Sequence, residues 1–360
     1  MAKENKIRVA VLYGGMSSEH EVSIKSAQSI INHLDSDRFK VIPIAVSKEG
    51  RWRTPKALDQ GAVVDLDSLE SLKEVQPPSS PHELKDGLAD VYFPIIHGTT
   101  GEDGILQGLL EMARVPYVGS GVLGSALGMD KELAKILVSH RGVPVVPSVC
   151  LHQHDFQGKI DLEAIVQPLG LPLFVKPVNA GSSVGVHKVS ALSELRPALE
   201  DAFRFDFKVL IEKGVDAREI EISVLENIND PSSPLVSLPG EIVPSEEFYD
   251  YKAKYQSGDA SKLIIPAELN SSQIQSLQET SSTIFKALEL QGMSRVDFLM
   301  DKTNQKIYFN EVNTLPGFTN ISMYPKLWEK SGISYGDLLS RLIDLAVDRK
   351  KKKDQLVYHV

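Results

Sequence analysis

Cysteine is nearly absent from this 360-residue sequence, since Cys150 is its one cysteine. No disulfide can form within the chain, and a reducing compartment is compatible with that composition. Long apolar runs are also lacking, and no segment reaches the ~20 residues needed to span a bilayer. The amino-terminal run Ile7 to Leu12 is short and ends at Gly14-Gly15, which indicates a strand rather than a signal peptide. We expect a cytoplasmic protein with no membrane partner.

An excess of positive charge is missing as well. Lys and Arg number 39 against 48 Asp and Glu, which gives a formal net charge of -9 at pH 7. Because binding to a phosphate backbone requires basic surface, we expect no nucleic-acid partner. The remaining composition, with 42% hydrophobic and 24% charged residues, is that of an ordinary globular protein. The length predicts two or three domains.

Strand and helix signals alternate at the start of the chain. The apolar stretch IRVAVLYGG predicts a buried strand, the following residues have helical spacing, and FKVIPIAVS predicts a second strand. These elements predict a βαβ unit. The polar, proline-containing stretch 55–86 predicts a surface insertion without a readable function. We place the first domain boundary near residue 125.

The rest of the chain has a different pattern. Short strands dominate residues 143–216 and predict a small α+β unit with an antiparallel sheet. The Pro-, Ser- and Tyr-rich stretch 231–266 is long for a connection, which indicates a lid or binding loop. A long helix, two strands and a final helix opened by Ser334 follow.

The two strands SRVDFLMD and QKIYFNEVN carry the most informative polar pattern. A hairpin centred near Asn304 places Asp297 across from Glu311 and Arg295 across from Asn313. Alternation then predicts that one face carries chemistry and that the other face is core, with Val296, Phe298, Met300, Tyr308 and Val312. Two carboxylates and an amide oxygen suit Mg²⁺ better than zinc. A solvated face with cross-strand charge pairs is the equally weighted alternative.

A second polar segment, FVKPVNAGSSVGVHKV, places Lys176 on a strand before a glycine-framed loop. Backbone N–H groups and serine hydroxyls in such a loop can close over phosphates, with the lysine supplying charge. The Walker pattern GxxxxGK[ST] is absent, and a plain glycine-rich hairpin is at least as good an interpretation from this motif alone.

Two further signals are weaker. The segment GSGVLG, residues 119–124, matches the dinucleotide fingerprint G-x-G-x-x-G but lacks the acidic residue expected about 20 positions later. His97 ends a predicted strand before a glycine-rich loop, where ligands bind in α/β sheets, and a structural role for it is about as frequent.

Taken together, these segments resemble the D-alanine:D-alanine ligases of the ATP-grasp superfamily. The resemblance extends in order along nearly the whole chain through YGGMSSEHEVS, IIHGTTGEDG, YVGSGVLGSALGMDK, VKPVNAGSSVG, LIEKGVDAREIE, FYDYKAKY, SRVDF and FNEVNTLPGFTNISMYP. It implies an α/β fold, α+β in parts, with three domains at 1–125, 126–217 and 218–360 and a Rossmann-like parallel sheet in the first. ATP is expected between the second and third domains.

The resemblance also assigns nucleotide and metal residues. Lys131 and Lys176 match the lysines that contact the phosphates of ATP. The adenine side matches Glu212, Lys213 and Val215, and the ribose-binding carboxylate matches Glu219. The ligands of Mg²⁺, with Mn²⁺ as the alternative metal, match Asp297, Glu311 and Asn313. This metal set agrees with the hairpin face that the strand alternation predicts.

Substrate residues follow in the same way. Glu19, assisted by His97, matches the carboxylate that holds the ammonium of the first D-alanine, and Ser182 and Tyr255 match its hydrogen-bonded companions. Lys254 matches a lid lysine that reaches the transferred phosphate. The oxyanion site and the site for the carboxylate of the second D-alanine match Arg295, the Gly317 N–H, Ser322 and Met323.

The resemblance implies ATP-dependent joining of two D-alanines through an acyl phosphate, giving the dipeptide, ADP and phosphate for peptidoglycan synthesis, by a homodimer. A ligase that uses D-lactate or D-serine second is the nearest alternative, and the Lys254-Tyr255 pair favours D-alanine over D-lactate. A carboxylase of the same superfamily would lack the EHEVS and GFTNIS motifs. A non-catalytic nucleotide sensor would not need the metal residues, Arg295 and a lid together.

Overall fold

A computed structural model describes residues 6–55, 72–75, 84, 88–158, 160–243 and 262–357 of the chain. Its strands form three sheets, of five, four and six strands. The sheets follow one another in sequence, and the described candidate site residues come from strands, helices and loops along the whole chain. The fold is α/β with α+β parts, as the sequence predicts.

The first sheet has the strand order β4-β3-β2-β1-β5. Strands β1 and β2 are parallel across helix α1, which confirms the βαβ prediction, and β1 is also parallel to β5. The core of β1, from Val9 to Tyr13, is fully buried, as expected for a parallel strand covered on both faces. The elements are β1 (Ile7–Gly14), α1 (His20–His33), β2 (Phe39–Val46), β3 (Trp52–Pro55), β4 (Leu72–Val75) and β5 (Val91–Pro94).

The predicted insertion at 55–86 contributes strand β4, which pairs antiparallel with β3. Most of the rest of this stretch lies outside the described residues. Three helices follow β5, namely α2 (Ile105–Met112), α3 (Val122–Met129) and α4 (Lys131–Ser139). In the GSGVLG segment, a Cβ on Gly124 would lie 2.6 Å from the Glu289 carbonyl oxygen, so this glycine permits close packing of α3.

The second sheet is antiparallel throughout, with the order β6-β9-β7-β8, which confirms the predicted α+β unit. The strands β7 and β8 form the hairpin whose tip is the glycine-framed loop. The elements are β6 (Ser148–His152), α5 (Gln153–Phe156), α6 (Leu162–Leu169), β7 (Leu173–Pro177), β8 (His187–Val189), α7 (Leu192–Ala202) and β9 (Lys208–Lys213).

The third sheet has the order β13-β12-β10-β14-β15, with β11 paired to β10. Its strands are β10 (Ala217–Leu225), β11 (Leu235–Val236), β12 (Gly240–Val243), β13 (Lys262–Ile264), β14 (Met293–Asp301) and β15 (Ile307–Asn313). Helix α8 (Ser271–Ala287) precedes β14, and α9 (Met323–Lys330) and α10 (Tyr335–Asp354) end the fold. The Ser334 hydroxyl accepts a hydrogen bond from the Asp337 N–H at the start of α10.

One part of the hairpin prediction is wrong. The register shifts by one residue between Asp297 and Phe298, so Phe298 pairs with Phe309 and Leu299 pairs with Tyr308. Asn310 is the extra residue of this β-bulge, which puts fully buried Phe309 in the core and half-buried Tyr308 on the opposite face. Strand alternation alone cannot foresee a bulge.

The hydrophobic cores do not follow the order of the chain. One cluster joins the first sheet, through residues such as Val11 and Phe93, to Phe318, Trp328 and helix α10 near the carboxyl terminus. Separate clusters lie under the second sheet and between α8 and the third sheet. The boundaries at 125/126 and 217/218 stay a prediction; the first falls within α3 and the second at the start of β10. Within the described residues, no helix has the length and apolar character required to cross a membrane.

The shared core gives a stability prediction. Leu342 in α10 is fully buried in the cluster that packs α10 against the first sheet. Leu342→Ala should lower the free energy of unfolding by about 2–5 kcal/mol, because it leaves a cavity. Leu356→Ala, at an exposed leucine, serves as the control. Urea unfolding measures both, and equal effects would contradict the assignment of this core.

Candidate active site

The face of the β14–β15 hairpin carries the polar groups that the sequence predicts. Arg295 pairs with Asn313 and Asp297 pairs with Glu311, as the hairpin prediction states. On the other side of β14, Glu221 of β10 pairs with Asp297. Directly opposed residues of antiparallel strands lie on the same face, so three carboxylates form a row across three strands.

Arg295 neutralises part of this row. Its guanidinium donates to both carboxylate oxygens of Asp297, at 2.8 and 2.7 Å, and its Nε lies 3.0 Å from Glu221 Oε2. Burial opposes the charged form, but the carboxylates of Asp297 and Glu221 outweigh it and hold the pKa of Arg295 well above its usual value. The site therefore contains a permanent cation that is fixed by two carboxylates.

Two lysines from other segments face this hairpin. Lys131 begins helix α4, and its Nζ lies 3.3 Å from Glu311 Oε2 and donates to the Ala180 carbonyl at 2.8 Å. Lys176 of β7 forms an ion pair with Glu212 of β9 and contacts the Asn310 amide oxygen at 3.3 Å. The residue that forms the bulge thus contacts a lysine from the second sheet.

Glu212 also binds a second cation that the sequence analysis missed. Lys135 Nζ lies 2.8 Å from Glu212 Oε1, whereas Lys176 contacts the other carboxylate oxygen. Burial by itself would raise the pKa of Glu212, but the ammonium groups of Lys135 and Lys176 lower it to about 2. Glu212 is therefore a buried carboxylate that stays ionised.

The glycine-framed loop reaches the first sheet. The Ser182 hydroxyl donates a hydrogen bond to Oε1 of Glu19, the residue that immediately precedes α1. A Cβ on Gly181 would lie 2.7 Å from Glu19 Oε2, so a larger residue at position 181 would require the Glu19 carboxylate to shift. The structure thus brings Glu19 and Ser182, 163 residues apart, into direct contact.

His97 occupies a buried position between the first sheet and the end of the hairpin. Its Nδ1 lies 3.0 Å from the Leu315 carbonyl oxygen and its Nε2 lies 3.1 Å from the Ser26 hydroxyl. Burial lowers the pKa of His97, so the ring is neutral near pH 7. Because a carbonyl only accepts, Nδ1 carries the proton and Nε2 accepts from Ser26. Both ring nitrogens are engaged by the protein, which indicates a positioning residue.

Glu102, from the IIHGTTGEDG segment, is a buried carboxyl that the sequence analysis did not single out. Its Oε1 accepts the Gly98 N–H at 2.8 Å, and its Oε2 is buried with no hydrogen-bond partner among the residues that the structure describes. Burial, and then the neighbouring Glu19 charge, raise the pKa of Glu102 to about 8, while Lys131 and Arg295 act in the opposite direction. Glu102 thus lies within electrostatic reach of three predicted site residues.

The remaining predicted residues have varied positions. Lys213 ends β9, Val215 lies between β9 and β10, and exposed Glu219 follows on β10. Gly317 lies against the hydroxyl of Ser322, the residue before α9, and buried Met323 begins that helix beside Gly240. Lys254 and Tyr255 lie outside the described residues.

The missed residues had a signal in the sequence. Lys135 follows Lys131 by four positions in the helix DKELAKILVSHRG, so both lie on one helix face. Glu221 follows Glu219 by two positions in the strand REIEIS, and alternation places both on the face of Asp297. The spacing within each element predicts which face these residues occupy. It does not predict their ion-pair partners, because Glu212 and Arg295 come from distant segments of the chain.

The donor set on the hairpin fits a magnesium ion bound together with a phosphate. Asp297, Glu311 and Asn313 offer hard oxygen donors on one face. Among the described residues, no three His, Cys, Asp or Glu side chains gather into a metal site by themselves. Protein sites for Mg²⁺ commonly supply only one or two carboxylates and leave other positions to substrate phosphates and water.

The raised pKa of Glu102 gives a pH prediction. A carboxyl that binds its proton more tightly in the folded chain than in the unfolded one, with pKa about 4.3, makes the free energy of unfolding fall as pH rises between the two values. Glu102→Gln keeps an acceptor for the Gly98 N–H and removes the loss of stability at high pH, because glutamine does not titrate. We expect its stability relative to the parent protein to improve by on the order of 1–3 kcal/mol from pH 5 to pH 8.

Chemical denaturation at the two pH values measures this change. Glu200→Gln, at an exposed carboxyl of α7, is the matched control and should show no such trend. A Glu102→Gln stability difference that is the same at pH 5 and pH 8 would show that Glu102 is already ionised in the folded protein.

Comparisons with known proteins identify the family to which this chain is similar. Residues 8–120 match the family described as D-ala D-ala ligase N-terminus, and residues 137–344 match D-ala D-ala ligase C-terminus. The chain is 48% identical over 369 residues to the D-alanine--D-alanine ligase A of Bradyrhizobium diazoefficiens, covering 98% of each. It is 45% identical over 367 residues to the D-alanine--D-alanine ligase of Caldicellulosiruptor bescii, again covering 98% of each.

Solved structures give the same result. The D-alanine-D-alanine ligase from Coxiella burnetii superposes with a TM-score of 0.85 at 36% identity, covering 98% of this chain and 97% of that one. The VanG D-Ala:D-Ser ligase from Enterococcus faecalis superposes with a TM-score of 0.83, also at 36% identity, covering 95% and 100%. Both family regions match, and the relatives are 45–48% identical over nearly the full length of the chain. The chain therefore belongs to the D-alanine–D-alanine ligase family.

Proposed function

We propose that this protein uses ATP to join two D-alanines through D-alanyl phosphate, forming D-alanyl-D-alanine, ADP and phosphate. The observation that carries the proposal is the contact of Ser182 with Glu19. It brings the glycine-framed loop of the second sheet onto a carboxylate of the first, beside the lysines and the Arg295 hairpin. Family membership and the names of the relatives support the same reaction.

The chemistry explains why such a site needs several cations. A carboxylate is a poor acyl donor, because the group leaving it would be oxide, and phosphorylation by ATP replaces that group with phosphate. Lys131 and Lys176 are assigned to offset the charge on the phosphates. Arg295 and the Gly317 N–H are assigned to the oxyanion that develops when the second amine attacks.

The two amino acids are assigned to different segments. Glu19 is proposed to hold the ammonium of the first D-alanine, with His97 fixing the wall of that pocket. Ser322 and Met323 are proposed for the carboxylate of the second D-alanine, because the start of α9 favours an anion. Glu212, Lys213, Val215 and Glu219 are proposed to bind the adenine and ribose.

Asp297, Glu311 and Asn313 are proposed as ligands of Mg²⁺, or of Mn²⁺ in its place. A bound divalent cation would lower the repulsion between the phosphate groups and an attacking carboxylate. The ligands are fixed by their strand pairing, and Arg295 holds Asp297 in a defined position. Asp297 already faces Arg295 and Glu311 already faces Lys131, so a bound metal ion would share these carboxylates with those cations.

The acyl phosphate must be kept from water, since it hydrolyses readily. Lys254 and Tyr255 are proposed to belong to a lid that excludes water, and the proposal for them rests on the sequence motif. The same pair favours D-alanine over D-lactate as the second substrate. D-Serine remains the second candidate, because a D-Ala:D-Ser ligase superposes on this chain nearly as well as a D-alanine ligase does.

The cytoplasmic location, the homodimer and the place of the product in peptidoglycan synthesis are part of the same proposal. They are supported by the family to which the chain belongs. The dipeptide product would be consumed by enzymes that build cell-wall peptides. Because its synthesis requires ATP, we place it in the cytoplasm.

Phosphate release tests the function directly. Purified protein with ATP and Mg²⁺ should release phosphate with D-alanine alone, and mass spectrometry should detect the dipeptide. L-Alanine should support at most about a hundredth of that rate, because its carboxylate is directed away from the phosphate. Mixtures of D-alanine with D-serine or D-lactate identify the second substrate. Absence of D-alanine-dependent phosphate release would refute the proposal.

The metal assignment makes a separate prediction. Glu311→Gln should lower turnover by at least about tenfold, equivalent to ~1.4 kcal/mol of transition-state stabilisation, and should leave the melting temperature nearly unchanged. The control is Glu329→Gln, which changes an exposed carboxyl of α9. Near-normal turnover of Glu311→Gln at saturating Mg²⁺ would remove Glu311 from the metal site.

A further inference from the structure

Lys135 is a buried lysine to which the proposed reaction assigns no role. It is 3% exposed, its Nζ contacts Glu212 Oε1 at 2.8 Å, and it donates to the Phe309 carbonyl at 3.3 Å. The Phe309 ring lies beneath the ammonium, 5.8 Å from Nζ to the ring centroid. These contacts surround the ammonium with protein groups, so any role for Lys135 in the reaction must act through a neighbour.

That neighbour is Glu212, which two lysines share. Lys135 contacts one carboxylate oxygen and Lys176 contacts the other. The side chain of Glu212 is 4% exposed, so water cannot replace either partner at low cost. The buried cluster therefore holds two ammonium groups for one carboxylate, one more cation than Glu212 requires.

The two lysines differ in what surrounds them. Lys135 is enclosed by α4, β9 and β15, and burial lowers its pKa. Lys176 contacts Glu212 and the amide oxygen of Asn310, and the neighbouring carboxylates of Glu212 and Glu311 outweigh burial and raise its pKa. The side chain of Lys176 is 11% exposed against 4% for Lys135, so Lys176 is the cation with better access to an anion in the site.

The geometry points to Lys135 as a positioning residue that holds Glu212 ionised when Lys176 turns from Glu212 to the phosphates of ATP. The inference rests on the proposed function, which assigns Lys176 to those phosphates. With Lys135 present, Glu212 keeps one ammonium partner throughout. Without Lys135, moving Lys176 would leave a buried carboxylate alone, and Glu212 would have to take up a proton or retain Lys176.

Nucleotide binding tests this inference. Isothermal titration calorimetry of a non-hydrolysable ATP analogue with Mg²⁺, in buffers of different ionisation enthalpy, reports both affinity and the number of protons taken up. Lys135→Met should weaken nucleotide binding by at least about tenfold and add proton uptake that the parent protein lacks. Its affinity should improve as pH falls, because protonation of Glu212 then costs less.

Two variants separate this role from simple packing. Lys135→Arg keeps the charge and should restore the proton count of the parent protein. Lys286→Met, at an exposed lysine of α8, is the matched control and should bind as the parent does. At saturating nucleotide, the KM for D-alanine should be nearly unchanged in Lys135→Met, since the defect lies in the nucleotide step.

The double variant Lys135→Met/Glu212→Gln keeps the test decisive if Lys135→Met does not fold. In the Glu212→Gln background, the loss of Lys135 should add no proton uptake, because no carboxylate remains to be compensated. Added uptake in that background, or unchanged affinity and uptake in Lys135→Met, would overturn the inference. Failure of the parent protein itself to bind the nucleotide would instead refute the proposed function.

Discussion

Buried charge is the constraint on which this site depends, because each charged group needs a partner that a different segment supplies. Lys131 of α4 meets Glu311 of β15, and Lys135 of the same helix meets Glu212 of β9. The side chains of Lys135 and Glu212 are each 4% exposed, so an unpaired ion there would cost several kcal/mol, whereas Glu311, with its side chain 35% exposed, is partly solvated. Through α4, these two ion pairs link the second sheet to the third. The charged groups of the site find their partners only when both sheets are folded and packed together.

The strand pattern was sufficient to predict much of the fold. Alternation and loop length gave the correct pairing of Asp297 with Glu311, because turn position and the polar face agree. The same reasoning misplaced Tyr308, since the bulge at Asn310 adds a residue to β15. The bulge contributes to the site, because it directs the Asn310 amide oxygen towards Lys176. The regular alternation of a strand predicts the pairing of the hairpin. The bulge cannot be predicted in this way, because the contact of Asn310 is with a lysine of another sheet.

Site residues were predictable to different degrees for a similar reason. Glu19 and Ser182 stand in recognisable motifs, but their contact spans 163 residues and depends on how the first two sheets pack. Lys135 and Glu102 were missed, although Glu102 lies in a quoted motif and Lys135 lies four residues after one, because their properties come from burial rather than from residue type. Glu102 acquires a raised pKa only when Oε2 is enclosed without a partner near Glu19. Sequence spacing cannot report such enclosure.

The placement of the two substrate regions suggests how specificity can change within one fold. The cations and carboxylates proposed for the phosphates lie on paired strands or beside them, and the contact of His97 with the Leu315 carbonyl ties the proposed first pocket to the end of the hairpin. The pocket proposed for the second D-alanine instead begins at Ser322 and Met323, where the backbone enters a helix after a loop. Loops accept substitutions that paired strands do not. We therefore expect a change of acceptor to alter the loop side of the proposed site and to leave the charged strands as they are, and the close superposition of a D-Ala:D-Ser ligase on this chain agrees with that expectation.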